Sequence, residues 1–110
     1  MHELSEPARV ALERALDADE RIDLVAPAVG SELVLTDRRL LVVRQGAEFR
    51  PRTGIRSFIL DRELEVRIAP TAKQVIIESA GRTSTVFIRL EQQPAVEALL
   101  AGARRRIYAA

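Results

Sequence analysis

Residues 31–43 read Ser-Glu-Leu-Val-Leu-Thr-Asp-Arg-Arg-Leu-Leu-Val-Val and indicate the fold class of this chain. Two aliphatic runs flank a polar break at Asp37 and Arg38, and aspartate favours turns because its side chain hydrogen-bonds to nearby backbone. Runs rich in leucine and valine around such a break predict a β-hairpin. The second run, 40–43, is continuously apolar, which predicts a strand covered on both faces, one of them by a flanking helix.

Short runs of the same kind extend over most of the chain. Between Glu20 and Leu90 the apolar residues recur with a period near two, which is typical of strands. Residues 63–68 show this most clearly, because each charged residue alternates with an aliphatic one, so that one face meets water and the other a core. The predicted strands span 21–27, 32–36, 39–44, 54–60, 63–68, 74–79 and 83–89.

An amphipathic helix is predicted on each side of these strands, over 5–16 and 93–107. The apolar stripe of the first comprises Leu4, Ala8, Leu12 and Leu16. The stripe of the second comprises Val96, Leu99, Leu100, Ala103 and Ile107. We expect the second helix to plug a small barrel or two packed antiparallel sheets. Its residues should then pack beside Leu33, Leu35, Val66 and Ile68.

Composition limits this architecture to one domain, 1–110. A chain of 110 residues, 47% of them hydrophobic, can support a single core. The longest uncharged stretch, 24–31, is too short to cross a membrane as a helix. Glu3 and Glu6 interrupt the start, where a signal peptide would carry positive charge followed by an apolar core, so we expect a cytoplasmic protein.

Residues 31–43 resemble the hairpin of bacterial pleckstrin-homology-like (PH-like) domains, the YokE-like group and its relatives near the GRAM domains. Residues 16–22 resemble that group's entry into its first strand, and the likeness covers 16–107. The resemblance implies a mainly β (α+β) fold, a PH-like seven-stranded bent antiparallel barrel capped by the C-terminal helix, with an extra N-terminal helix. Phosphoinositide-binding members of the wider superfamily carry cations in the loop after the first strand. The corresponding loop here, 26–31, has none, which argues against an inositol-phosphate pocket.

Catalytic chemistry is poorly represented among the residue types. The chain has no cysteine, and His2 is its only histidine, so a triad of nucleophile, histidine and acid has a single candidate base. The acidic run 17–20 lacks the ligand spacing of a calcium loop. We therefore expect no catalytic residue, no metal site, no cofactor and no enzymatic activity.

Charge is unevenly distributed along the chain. Residues 1–23 carry seven acidic against three basic residues, whereas 38–56 carry six arginines against one acid, Glu48. The acidic N-terminal segment could dock on the basic side of the sheet, or both could be solvated at little energetic gain. Alternatively the arginines form a binding strip for an acidic peptide, an anionic lipid surface or RNA. The strip comprises Arg38, Arg39, Arg44, Arg50, Arg52 and Arg56.

A protein partner is the interpretation we favour for this chain. Recognition of single-stranded RNA usually adds exposed aromatic residues for stacking, and only 4% of the residues are aromatic, so no nucleic-acid partner is expected. The sequence thus indicates a non-catalytic PH-like interaction module that binds a protein or peptide, or itself, through a strand edge or the barrel surface. The alternative is an anion-binding module that uses the arginine strip at a membrane surface.

Self-association is a further expectation, because a second amphipathic helix needs a surface to cover its stripe. If Leu4, Leu12 and Leu16 lie on their own sheet, the helix protects that sheet and the chain is a monomer. If they reach a neighbour, the chain is an oligomer. We expect a homo-oligomer, since a formal charge of +1 does little to keep copies apart.

Overall fold

The computed structural model describes residues 6–44, 54–69, 71 and 73–109, and each element lies within two residues of its predicted ends. Two helices flank the strands, with a short 3-10 helix, Leu90–Gln92, before the second. The helices are α1 (Glu6–Ala15) and α2 (Gln93–Tyr108). The strands are β1 (Ile22–Ala28), β2 (Ser31–Thr36), β3 (Arg39–Arg44), β4 (Ile55–Ile59), β5 (Glu65–Ala69), β6 (Gln74–Ser79) and β7 (Arg82–Phe87).

The strands form two antiparallel sheets in which neighbours along the chain are neighbours in space. One sheet has the order β1-β2-β3-β4 and the other β5-β6-β7. Short turns set the register of the hairpins, and at the β6–β7 turn both Ala80 and Gly81 have positive φ, as a two-residue type I′ turn requires. The chain is therefore mainly β, with a helix at each end of the strand series.

The seven strands form two separate ladders and do not close into a barrel. In the described part of the chain, the N–H of Val29 donates to the carbonyl of Phe87 (2.9 Å), which links the β1–β2 turn to the end of β7. Strands β4 and β5 stay apart, each at the edge of its own sheet. The result is two antiparallel sheets that share a core.

That core lies between the inner faces of the two sheets and is filled by α2. The predicted packing of the C-terminal helix is confirmed, because its apolar stripe is buried together with Leu33, Leu35 and Val66, while Ile68 packs at the margin. Gly102 allows the close approach of α2 to the first sheet, since a Cβ there would lie 3.0 Å from Leu35 Cδ2. Arg104 adds a polar tie by donating from Nη2 to the carbonyl of Val66 on β5 (2.7 Å).

The first sheet is covered on both faces, as the continuous apolar run in β3 predicts. Leu40 and Val42 belong to the main core, whereas Leu41 and Val43 belong to a second cluster with Leu12 of α1. The partly buried Leu16 and Ile55 pack against the same cluster. The described part of the α1 stripe therefore lies on its own sheet, and the argument for self-association from Leu12 and Leu16 no longer applies. Leu4 lies outside the described residues.

Within the described residues, neither helix combines the length and apolar character needed to cross a membrane.

Candidate functional site

The Thr-Asp-Arg-Arg segment that carries the PH-like resemblance forms the β2–β3 turn. The hydroxyl of Thr36 accepts the backbone N–H groups of Arg38 (3.0 Å) and Arg39 (2.9 Å). The carboxylate of Asp37 accepts the N–H of Arg21 (2.9 Å), and the N–H of Asp37 donates to the carbonyl of Arg21 (3.0 Å). The segment thus ties the turn to the chain that enters β1.

A buried ion pair completes this tie. The Glu20 side chain has no exposed surface, and Arg39 donates to both of its oxygens, from Nη2 to Oε1 (2.6 Å) and from Nε to Oε2 (3.0 Å). The Thr36 hydroxyl donates to Oε2 (2.6 Å) and the N–H of Asp17 to Oε1 (3.1 Å). Nη2 of Arg39 also donates to the carbonyl of Ala15, the last residue of α1 (2.8 Å). We call this group, comprising Glu20, Thr36 and Arg39, the turn latch.

The turn latch keeps Glu20 ionised. The hydrogen bonds from Arg39, assisted by those from Thr36 and Asp17, lower the pKa of Glu20 to about 2, although burial alone would raise it. Glu20 in turn raises the pKa of Arg39. Because both charges are held and hydrogen-bonded, neither group is poised to exchange protons near neutral pH.

Arg38, the exposed arginine of the turn, also forms ion pairs within the chain. Arg38 pairs with Asp17 (Nη1 to Oδ2, 3.2 Å) and with Asp19 (Nη2 to Oδ2, 2.6 Å). These contacts raise the pKa of Arg38 and lower that of Asp19. The acidic residues that dock on the basic turn are therefore those that follow α1, and not those of the helix itself.

Two members of the predicted arginine strip, Arg38 and Arg39, are thus engaged in ion pairs within the chain. Arg44 is half-buried at the end of β3, and Arg56 is exposed on β4. Arg50 and Arg52 lie outside the described residues. The structure therefore brings Arg44 and Arg56 together at one end of the first sheet. In the described part of the chain, these two members of the strip have no carboxylate partner.

The outer edge of β4 is an open strand edge in the described structure. The N–H of Arg44 donates to the carbonyl of Gly54 (2.7 Å), and the N–H of Leu60 donates to the carbonyl of Arg38 (3.2 Å). Main-chain groups alternate in direction along an antiparallel strand, so the even-numbered residues of β4 face β3. The main-chain groups of Ile55, Ser57 and Ile59 consequently point away from the sheet. The carbonyl of Ile59 also accepts the N–H of Asp61 (2.9 Å).

The other strand edges are more restricted. Pro27, which has no N–H, stands on β1, and proline blocks pairing at such an edge. Arg104 occupies the outward carbonyl of Val66 on β5. The carbonyl of Phe87 at the end of β7 accepts the N–H of Val29, which leaves the main chain of Thr83 and Thr85 facing outward. A proline limits the edge of β1, the Arg104 side chain limits that of β5, and the segment at Val29 limits the end of β7.

Exposed apolar surface coincides with the β4 edge. Ile59 is 66% exposed. Ile55, Ser57 and Ile59 lie on one face of the sheet, opposite Val43, Leu41 and Arg39 of β3. Leu41 and Val43 pack against Leu12, so this is the face that α1 covers closer to the middle of the sheet. An exposed isoleucine beside free main-chain groups is the combination that an added strand can cover.

The three described clefts lie along α2. The cleft between β1 and α2, about 270 Å³, is lined by Asp23, Leu24, Gly102, Arg105 and others, and Asp23 pairs with Arg106. Two clefts of about 230 and 400 Å³ border β5 on either side of Arg104. None of these three linings contains a serine, threonine or histidine. The described residues also hold no group of three His, Cys, Asp or Glu side chains that could bind a metal.

A scan against protein-family models, a search of curated proteins and a search of solved structures each find no match to this chain. The surfaces described above therefore carry the functional argument.

Proposed function

We propose that this chain is a non-catalytic PH-like interaction module that binds an extended segment of a protein partner by strand addition to β4. The order of four strands, three strands and a C-terminal helix packed between the sheets supports the PH-like assignment. So does the β2–β3 turn, in which the residues of the resemblance form the turn latch. A bent barrel is the finer form of this proposal, with the gap between β4 and β5 as its open side.

The observation that carries the proposal is the outer edge of β4, where the outward main-chain groups of Ile55 and Ser57 have no hydrogen-bond partner among the described residues. Strand addition gains affinity from main-chain hydrogen bonds and specificity from alternate side chains. Ile55 and Ser57 offer outward N–H and C=O groups, and Ile59 offers an outward N–H and an exposed apolar side chain, while its carbonyl accepts the N–H of Asp61. The partner segment therefore needs an extended conformation with an apolar residue opposite this edge.

Charge favours an acidic partner segment. Arg56 is exposed on β4, and Arg44 lies at the adjoining end of β3. Arg50 and Arg52 stand in the sequence that joins these two strands. Carboxylates on the partner would meet the guanidinium groups of Arg44 and Arg56 and would speed association at low salt.

The alternative, a module that binds an anionic membrane surface, uses the same arginines with different neighbours. Val29, Phe87 and Leu90 are exposed apolar residues, and the hydrogen bond from Val29 to Phe87 places two of them at the end of the fold that holds Arg44. Apolar side chains beside cations suit a lipid interface. The two functions differ in whether the β4 main chain is needed.

A proline on β4 separates them. Ser57→Pro removes an N–H that faces away from β3, so it breaks no ladder bond but blocks an added strand. Ser57→Thr keeps the N–H and is the matched control. With the full chain immobilised, we expect a partner from lysate to be retained by wild type and Ser57→Thr and lost with Ser57→Pro, at unchanged melting temperature.

Retention by all three proteins would contradict strand addition. Binding of wild type and Ser57→Pro alike to phosphatidylglycerol vesicles, with steep release by salt, would favour the membrane alternative.

A further inference from the structure

We propose that the β4 edge is self-complementary and pairs with β4 of a second copy across a two-fold axis through Ser57. This inference rests on the proposed function, because it names one partner of the same edge. It differs from the expectation drawn from the helix stripe, since α1 takes no part in it. Two copies joined in this way would form one sheet of eight strands.

Register is the first support. A two-fold axis at Ser57 sets Ser57 opposite its copy and Ile55 opposite the copy's Ile59. These are the residues whose main-chain groups point away from β3. In an antiparallel pair, residues that exchange both hydrogen bonds must face each other. The outward groups of one copy therefore meet the outward groups of the other without a bulge or a shift. The carbonyl of Ile59, which accepts the N–H of Asp61, would take the N–H of the other copy's Ile55 on its second lone pair.

Side-chain chemistry is the second support. Ile55 and Ile59 lie on the same face of the sheet, so the exposed Ile59 of each copy meets the partly buried Ile55 of the other. Cross-strand pairs of β-branched residues stabilise sheets. On the opposite face, Arg56 of one copy stands across from Phe58 of the other. The sequence Ile-Arg-Ser-Phe-Ile is thus matched to its own reverse at its two apolar ends and at its centre, while Arg56 faces a position whose side chain, Phe58, is buried in its own core.

Among the described strands, one other edge has at least two outward residues that are neither proline nor hydrogen-bonded to another segment. It is the edge of β7, and it is less suited to pairing with its own copy. Thr83 and Thr85 are exposed and polar, so Phe87 is the one apolar side chain at this edge that a paired copy would cover. The end of β7 is also bonded to Val29. An apolar, self-matching edge favours β4.

Charge predicts how this contact responds to salt. The two copies of Arg56 lie diagonally across the joined strands, at a spacing of about 7–8 Å, and repel each other. Screening should therefore strengthen the pairing of copies, whereas it weakens the binding of an acidic segment or an anionic membrane. The pairing covers five residues of each copy, so it should appear only at high protein concentration.

The natural lack of cysteine makes a direct test possible. In Ser57→Cys, the two thiols of a pair would stand on residues about 5.5 Å apart between Cα atoms, within the range that a disulfide spans. Thr85→Cys is the matched control, because it also places one thiol on an exposed edge strand. With oxidised glutathione as oxidant, we expect the full chain with Ser57→Cys to form a disulfide dimer several times faster than the chain with Thr85→Cys. Added salt should increase that rate.

Sedimentation of proteins without cysteine checks the same contact. Wild type and Ser57→Thr should shift toward a dimer as concentration rises, and Ser57→Pro should stay monomeric. Equal cross-linking of the two cysteine variants, or a wild type that stays monomeric at high micromolar concentration, would overturn the self-pairing proposal. If Ser57→Pro then still abolished capture of a different protein, strand addition to β4 would stand and only the second copy would be ruled out as its occupant.

Discussion

Leu99→Asp is expected to unfold the domain. Leu99 has no exposed surface and lies in the centre of the core that α2 shares with both sheets. An unpaired carboxylate buried among aliphatic side chains costs several kcal/mol. A domain of this size has only about 5–10 kcal/mol of stability, so the substitution removes most of it. Circular dichroism and thermal melting at neutral pH would show the loss of the cooperative transition.

Ala98→Asp is the matched control for this prediction. It introduces the same carboxylate one residue earlier in α2, at an exposed position. Surface substitutions of this kind change stability by about 0.5 kcal/mol or less. We expect this control to melt close to wild type. If Leu99→Asp also melted within a degree or two of wild type, α2 would not be the element that closes the core.

Glu20→Gln is expected to destabilise the domain by about 3 kcal/mol. The substitution removes the carboxylate to which Arg39 and Thr36 donate, and breaking one side of a buried pair leaves the other charge without its partner. Asp19→Asn is the control, because it breaks the exposed pair with Arg38, and exposed pairs contribute little to stability. Urea unfolding at pH 7 measures both.

The effect of Glu20→Gln should depend on pH with a definite sign. The pKa of Glu20 is lowered from 4.5 to about 2, so the folded state holds its proton more weakly than the unfolded chain does. The stabilisation by this carboxylate is therefore complete above about pH 4.5 and is lost as pH falls toward 2. We expect the gap between wild type and Glu20→Gln to shrink over that range. A gap that stayed constant from pH 7 to pH 2.5 would show that the ion pair contributes little.

Local patterns in the sequence were sufficient to predict the strands and helices. The alternation in 63–68 and the mixed three- and four-residue spacing in α2 are set by which side chains meet the core, and both are confirmed. The continuous run in β3 correctly indicated two covered faces, with Leu40 and Leu41 in different clusters. These features depend on neighbours within a few residues, which a sequence displays directly.

Long-range pairing was less visible. Glu20 and Arg39 are 19 residues apart, and a linear count of charge cannot show that the second neutralises the first. For this reason the predicted strip included Arg38 and Arg39, which the structure engages in ion pairs. The open edge of β4 could not be predicted either. Which strands lie at the edges of the sheets, and whether a proline such as Pro27 stands on one of them, are decided by tertiary structure.

Amide hydrogen exchange along β4 tests the central claim, that this edge is free and is the interaction surface. In dilute protein we expect the amides of Ser57 and Ile59 to exchange rapidly, while those of Arg56 and Phe58, which face β3, are protected. Ser57 should become protected when a partner segment or a second copy is added. Strong protection of Ser57 and Ile59 in dilute monomer, or exchange of Ser57 that stays rapid in the bound state, would contradict the account.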